Sequence, residues 1–142
     1  MLPEEVPMAH QRFRPIKTGL YDKDQAIGRD MCLAVRAGNL VFLRGQTGFT
    51  LDGCFTGFGD AAAQADQAMC NVKILLEETG ARMEHICKIT TCITDRAFHE
   101  PVHAVIGRHL GDIAPVGTSL IVNGLALPEM LVEIGIDAVI PA

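Results

Sequence analysis

Apolar positions recur along this chain in two rhythms, and the switches between them mark out its elements. Residues 31–36 and 40–45 are strand-like runs separated by Ala37-Gly38-Asn39, the composition of a hairpin turn. The Gly-rich stretch 46–59 reads as a short edge strand and a loop. From Asp60 the period lengthens: Ala61, Ala65, Ala68, Met69, Val72, Leu75 and Leu76 share one helical stripe. Asp60 is placed as an N-cap and Gly80 as the stop. Residues 86–94 are β-branched and read as a central strand. Phe98, Val102, Val105, Ile106 and Leu110 outline a second helix ending at Gly111, which requires Pro101 to lie in its first turn. Residues 118–122 and 131–139 are the closing strands, joined by a loop with Gly124 and Pro128. Residues 1–27, polar and carrying Pro3, Pro7 and Pro15, read as an extended arm. The order β-β-(β)-α-β-α-β-β predicts a single α+β domain over 1–142, a mixed sheet with two helices packed on one face.

The last strand divides its residues sharply. With period two, Val132, Ile134, Ile136 and Ala138 point one way, under the helices. Leu131, Glu133, Gly135, Asp137 and Val139 point the other way, where no helix is left to cover them. Apolar and acidic groups mixed on an uncovered face favour burial between subunits over a solvated surface.

Composition narrows the class. At 142 residues one core is expected, and 49% hydrophobic residues with a mean hydropathy of +0.24 exceed what so small a domain hides alone. A net charge of −5 argues against a nucleic-acid backbone as partner. No apolar run is long enough for a membrane helix, and the acidic N-terminus does not resemble a signal peptide. Five scattered cysteines suit reduced thiols in a cytoplasm.

Four features could carry chemistry. His99-Glu100-Pro101-Val102-His103 matches the HExxH pattern of zinc proteases. That chemistry needs both histidines on one continuous helical face, and Pro101 sits inside the motif. His109 is one residue out of register for the extended pattern, so two ordinary histidines near a helix start are expected and no metal. Cys87 and Cys92, five apart in a strand, lie roughly 17 Å apart at ~3.3 Å per residue and cannot share an ion or a disulfide. They are read as core thiols. The Gly-rich segments lack phosphate-loop spacing and read as turns. Glu133 differs, because a carboxylate in a β-branched strand is costly unless solvated, paired or used.

Several segments together resemble the Rid family (YjgF-type proteins, often labelled L-PSP endoribonucleases). Gly38 to Gln46 looks like its GxLxFxSGQ hairpin, and Gln64, Gln67 and Asn71 stand at its QxxQxxxN spacing before Gly80. Lys88, Asp95, Ala114-Pro115 and Val132-Glu133-Ile134 match its later segments, so the likeness runs from about residue 29 to 139. The resemblance implies a chorismate-mutase-like fold, a homotrimer with inter-subunit clefts, and cofactor-free hydrolysis of reactive enamines or imines to ketones and ammonia. It puts Glu133 on the family's water-orienting glutamate.

The same resemblance exposes departures. The family's carboxylate-binding arginine corresponds to Gly117, its N-terminal tyrosine to Met31, and the serine before Gly-Gln to Arg44, next to Gly45. Glycine cannot clamp a carboxylate. Either Arg44 takes over the clamp, with Arg29 or Arg108 assisting, or the chain belongs to a branch without the arginine whose ligand is not a simple 2-imino acid. Backbone amides at Gly117, Thr118 or Ser119 are the expected stabilisers of developing charge. The leading expectation is a hydrolytic deaminase acting on a small molecule. The competing one is a non-catalytic ligand-binding or regulatory protein on the same scaffold. Ribonuclease activity fits poorly with an acidic chain holding one Tyr and no Trp.

Overall fold

The computed structural model describes residues 9–16 and 31–142. Within them a six-stranded mixed sheet is covered on one face by two helices. The strands are β1 (Gln11–Ile16), β2 (Met31–Ala37), β3 (Leu40–Leu43), β4 (Ile86–Ile93), β5 (Val116–Ile121) and β6 (Val132–Val139), and the helices are α1 (Ala61–Glu78) and α2 (His99–Leu110). The sheet order is β1-β2-β3-β6-β4-β5. Only β4 and β5 run parallel, since α2 carries the chain back between them.

The expected hairpin is present. β2 and β3 pair through a turn in which Gly38 takes φ +60°, a conformation that costs glycine little. Two expectations are corrected. The stretch 46–59 forms no edge strand; it is a loop bridged to β6 at Gln46–Ile134 and closed on itself by a bridge between Phe49 and Phe55. The additional strand is β1, inside what was read as an arm, paired with β2 and tied to α1 by Arg14, whose Nε donates to Glu78 Oε2 at 2.9 Å. Residues 1–8 and 17–27 of that arm, and Arg29 beyond it, lie outside the described residues.

Helix α1 begins where the sequence placed it, with the Asp60 carboxylate accepting from the Ala63 N–H at 3.0 Å. It ends at Thr79, whose carbonyl accepts from Arg36 of β2 at 2.9 Å. Gly80 follows at φ +88° and leaves room for that guanidinium, which a Cβ would meet at 2.7 Å. Helix α2 starts at His99, so Pro101 falls in its first turn as required.

Val132, Ile134, Ile136 and Ala138 of β6 are at most 1% exposed and pack beneath Ala65, Met69, Val72 and Leu76 of α1. Among the described residues nothing covers the other sheet face, and Leu40, Phe42, Leu120 and Val139 stand exposed on it. Among the described residues no helix is long and apolar enough to cross a membrane.

Candidate functional site

The uncovered face carries Glu133. In register, β6 sets Glu133 opposite Cys92, Gly135 opposite Thr90 and Asp137 opposite Lys88. Glu133 is half-buried, where β6 meets the chain leaving β3. There Gln46 bonds reciprocally with Ile134, each N–H donating to the other's carbonyl at 2.8 Å. That bridge lays Gly45 directly against Glu133. A Cβ at Gly45 would stand 2.7 Å from the carboxylate carbon and 3.0 Å from Oε2, so only glycine lets the side chain lie as it does.

The carboxylate opens into a cavity of about 260 Å³ whose lining also includes Arg44, Gly45, Gln46, Thr47 and Thr50. Leu33, Phe49, Leu51 and Met130 supply apolar wall. Glu133 and Arg44 thus share one pocket, and among the described residues neither forms an ion pair. Both charges are available to a ligand. The negative charge at Glu133 is felt at Cys92, whose thiol is pushed above its ordinary range by burial first and by Glu133 second.

The pocket's loops are held by a polar network from α1, and this explains the glutamine and asparagine spacing noted in the sequence. Gln64, fully buried, donates to the carbonyls of Gly57 and Glu129 at 2.9 and 3.0 Å and accepts from the Leu131 N–H at 2.9 Å. Asn71 donates to Gln46 Oε1 at 3.2 Å and to the Phe49 carbonyl at 2.6 Å, while Gln67 donates to Asn71 at 2.8 Å. Buried amides with every bond made fix the loops to the helix rather than merely filling space.

Other singled-out residues lie elsewhere. Met31 is exposed at the start of β2, and its strand partner Ile16 lines the pocket instead. Gly117 and Ser119 pair with the inward-facing Ile89 and Thr91, so they face α2, while Thr118 pairs with Thr90 on the open face. β5 is two strands from β6, about 9–10 Å at ~4.8 Å per strand. Within one chain, then, residues 117–119 are not brought to Glu133. They border a separate cavity of about 130 Å³ beside His103. Arg108 is on α2, remote from the pocket.

The HExxH histidines lie with ring centroids 4.3 Å apart and planes tilted by 40°, and His103 Nε2 is bonded to Ser119 Oγ at 2.9 Å. Burial, then the neighbouring His99, lowers the His103 pKa. Cys87 and Cys92 are not core thiols as expected. Ile89, Thr91 and Ile93 take the inward positions of β4, leaving Cys92 on the open face and Cys87 exposed at a register shift. All five cysteines are unpaired. The pocket wall from Phe49, Leu51 and Met130 was missed, because loop residues carry no periodic signal.

A family model described as Endoribonuclease L-PSP matches residues 25–140. Among its relatives, protein DfrA of Myxococcus xanthus is 30% identical over 102 residues, 71% of this chain and 78% of its own length. A RutC family protein of Pyrococcus abyssi is 26% identical over 100 residues, covering 70% and 78% respectively. Among solved structures, a YjgF/YER057c/UK114 family member from Mycobacterium tuberculosis superposes with a TM-score of 0.75 at 29% identity, over 93% of this chain and all of the other. RidA from an Antarctic Psychrobacter species does so at 0.73 and 25% identity, over 89% and 94%.

Proposed function

Since the chain belongs to the YjgF/Rid (endoribonuclease L-PSP) family, we propose that its pocket hydrolyses a small, reactive, anionic imine or enamine and releases ammonia. What supports this most is the Glu133 carboxylate seated against Gly45, in the same cavity as Arg44, which has no ion-pair partner among the described residues. Arg44 holds the anionic group of the substrate, which its planar guanidinium suits. Glu133 orients a water and takes its proton as the oxygen attacks the C=N carbon. That proton passes to nitrogen as the carbinolamine forms, and the carbinolamine collapses when its hydroxyl proton is relayed through Glu133 to the same nitrogen, so ammonia leaves and a carbonyl remains. Water and protein groups suffice for this sequence of steps.

In the same reading a neighbouring copy packs on the open face over Phe42, Leu120 and Val139. Assembly as a trimer brings residues 117–119 of that copy toward the cleft. A second reading, ligand binding without turnover, is favoured by one observation: Gly117 offers no guanidinium and faces α2.

The test is ammonia release from imines generated in place, some with and some without an α-carboxylate. The proposal expects acceleration for carboxylate-bearing imines and a raised KM in Arg44→Ala. Hydrolysis no faster than in buffer across the panel would overturn it.

A further inference from the structure

On the far side of the sheet, α1 and α2 bring together three groups that the deaminase reading does not use. We propose that Asp66, Cys70 and His109 form a surface site for a divalent transition metal of zinc-like preference. Asp66 and Cys70 are one turn apart on the exposed side of α1, and His109 projects from the last turn of α2. One carboxylate oxygen, one thiol sulfur and one imidazole nitrogen all lie within 4.8 Å of one another. Among the described residues this is the only such cluster.

The donor set argues for a soft or borderline ion. Oxygen, nitrogen and sulfur together suit zinc, whereas magnesium and calcium take oxygen alone. At metal–ligand bonds of ~2.0–2.3 Å, tetrahedral neighbours stand about 3.3–3.8 Å apart. Asp66 Oδ1 and His109 Nε2 are now 2.7 Å apart and hydrogen-bonded. The ion enters between them, and they separate by about 0.6 Å, which side-chain rotation supplies.

The framework around the site is rigid. Ala65, Met69, Val105 and Ile106 beside the three ligands are buried in the α1–α2 contact, so the ligands are carried on fixed backbone. Burial and then the Asp66 charge hold the Cys70 thiol above its ordinary pKa, with Lys73 acting in the opposite sense. A bound dication reverses that balance: the thiol proton leaves to solvent as the metal–sulfur bond forms. The exposed fourth position is open to water.

Cobalt(II) titration of the full chain is the test. One equivalent should give a thiolate-to-cobalt charge-transfer band with visible bands of tetrahedral intensity, and zinc should displace it. Cys70→Ser and His109→Gln should each remove the charge-transfer band or weaken binding by more than the ~100-fold that loss of an outer-shell partner can cost. Cys54→Ser and Cys87→Ser should leave it intact, and circular dichroism melting of the metal-free variants controls for folding. No charge-transfer band in the wild type, or an unchanged one in folded Cys70→Ser or His109→Gln, overturns the proposal. Imine hydrolysis is read separately, since the site lies across the sheet from Glu133.

Discussion

Gly45→Ala tests the geometry of the pocket through a single methyl group. Gly45 is not among the positive-φ glycines, so alanine meets no backbone strain there. The new Cβ would stand 2.7 Å from the Glu133 carboxyl carbon and 2.9 Å from its Cγ. To restore an ordinary contact of at least 3.4 Å, the carboxylate must retreat by about 0.7 Å. Misplacing a catalytic group by ~1 Å costs about 100-fold, so kcat/KM should fall roughly 30- to 100-fold, or about 2–2.7 kcal/mol of transition-state stabilisation. The fall should sit in kcat, because Arg44 still holds the substrate. Stability should barely change. Restricting the unfolded chain contributes about 0.4–1 kcal/mol in favour of folding, and crowding at a cavity edge costs about 1 kcal/mol. The assay pairs ammonia release with thermal melting. Wild-type kcat/KM in a folded Gly45→Ala protein refutes the reasoning, as does an activity loss that merely tracks unfolding.

Two further outcomes follow from the structure. Gln64→Ala strips partners from the Gly57 and Glu129 carbonyls and the Leu131 N–H, so chemical denaturation should show about 3 kcal/mol lost, and a loss under 1 kcal/mol would contradict the network's role. The Arg14–Glu78 pair should make stability depend on acid. The hydrogen bond from Arg14 lowers the Glu78 pKa in the folded state, so its contribution is present above the unfolded carboxylate pKa and fades as pH falls through the lower folded value. Both side chains are about one-third exposed, so a double-mutant cycle at neutral pH should return less than about 1 kcal/mol. Identical acid-unfolding profiles for wild type and Glu78→Gln would refute it.

What the sequence disclosed depended on whether a feature was periodic. The α1 stripe, its Asp60 cap, the Gly38 turn and the inward row of β6 are set by local pattern, and the structure keeps them. Glu133 stood out because it breaks such a pattern. Other features depend on how distant segments meet. Which way Gly117 and Thr118 face is decided by the register of β5 on β4, and nothing local to β5 encodes it. Cys92 points outward because Ile89, Thr91 and Ile93 claim the inner row. The Gly-rich run after residue 46 lacks a strand because its backbone is held by α1 side chains: a Cβ at Gly48 would meet the Thr56 carbonyl at 2.6 Å and Gln64 Cγ at 2.9 Å. The need for glycine at 45 is likewise visible only once β6 lies beside it.

The central claim is that Glu133 activates water on a substrate held in this pocket, and Glu133→Gln tests it most directly. Glutamine keeps the shape beside Gly45 but cannot accept the water's proton. With the fold and oligomeric state of the variant verified, ammonia release from an accepted imine should fall at least 100-fold, the low end of what a positioned base contributes. Turnover at the wild-type rate in the folded Glu133→Gln protein would contradict the account.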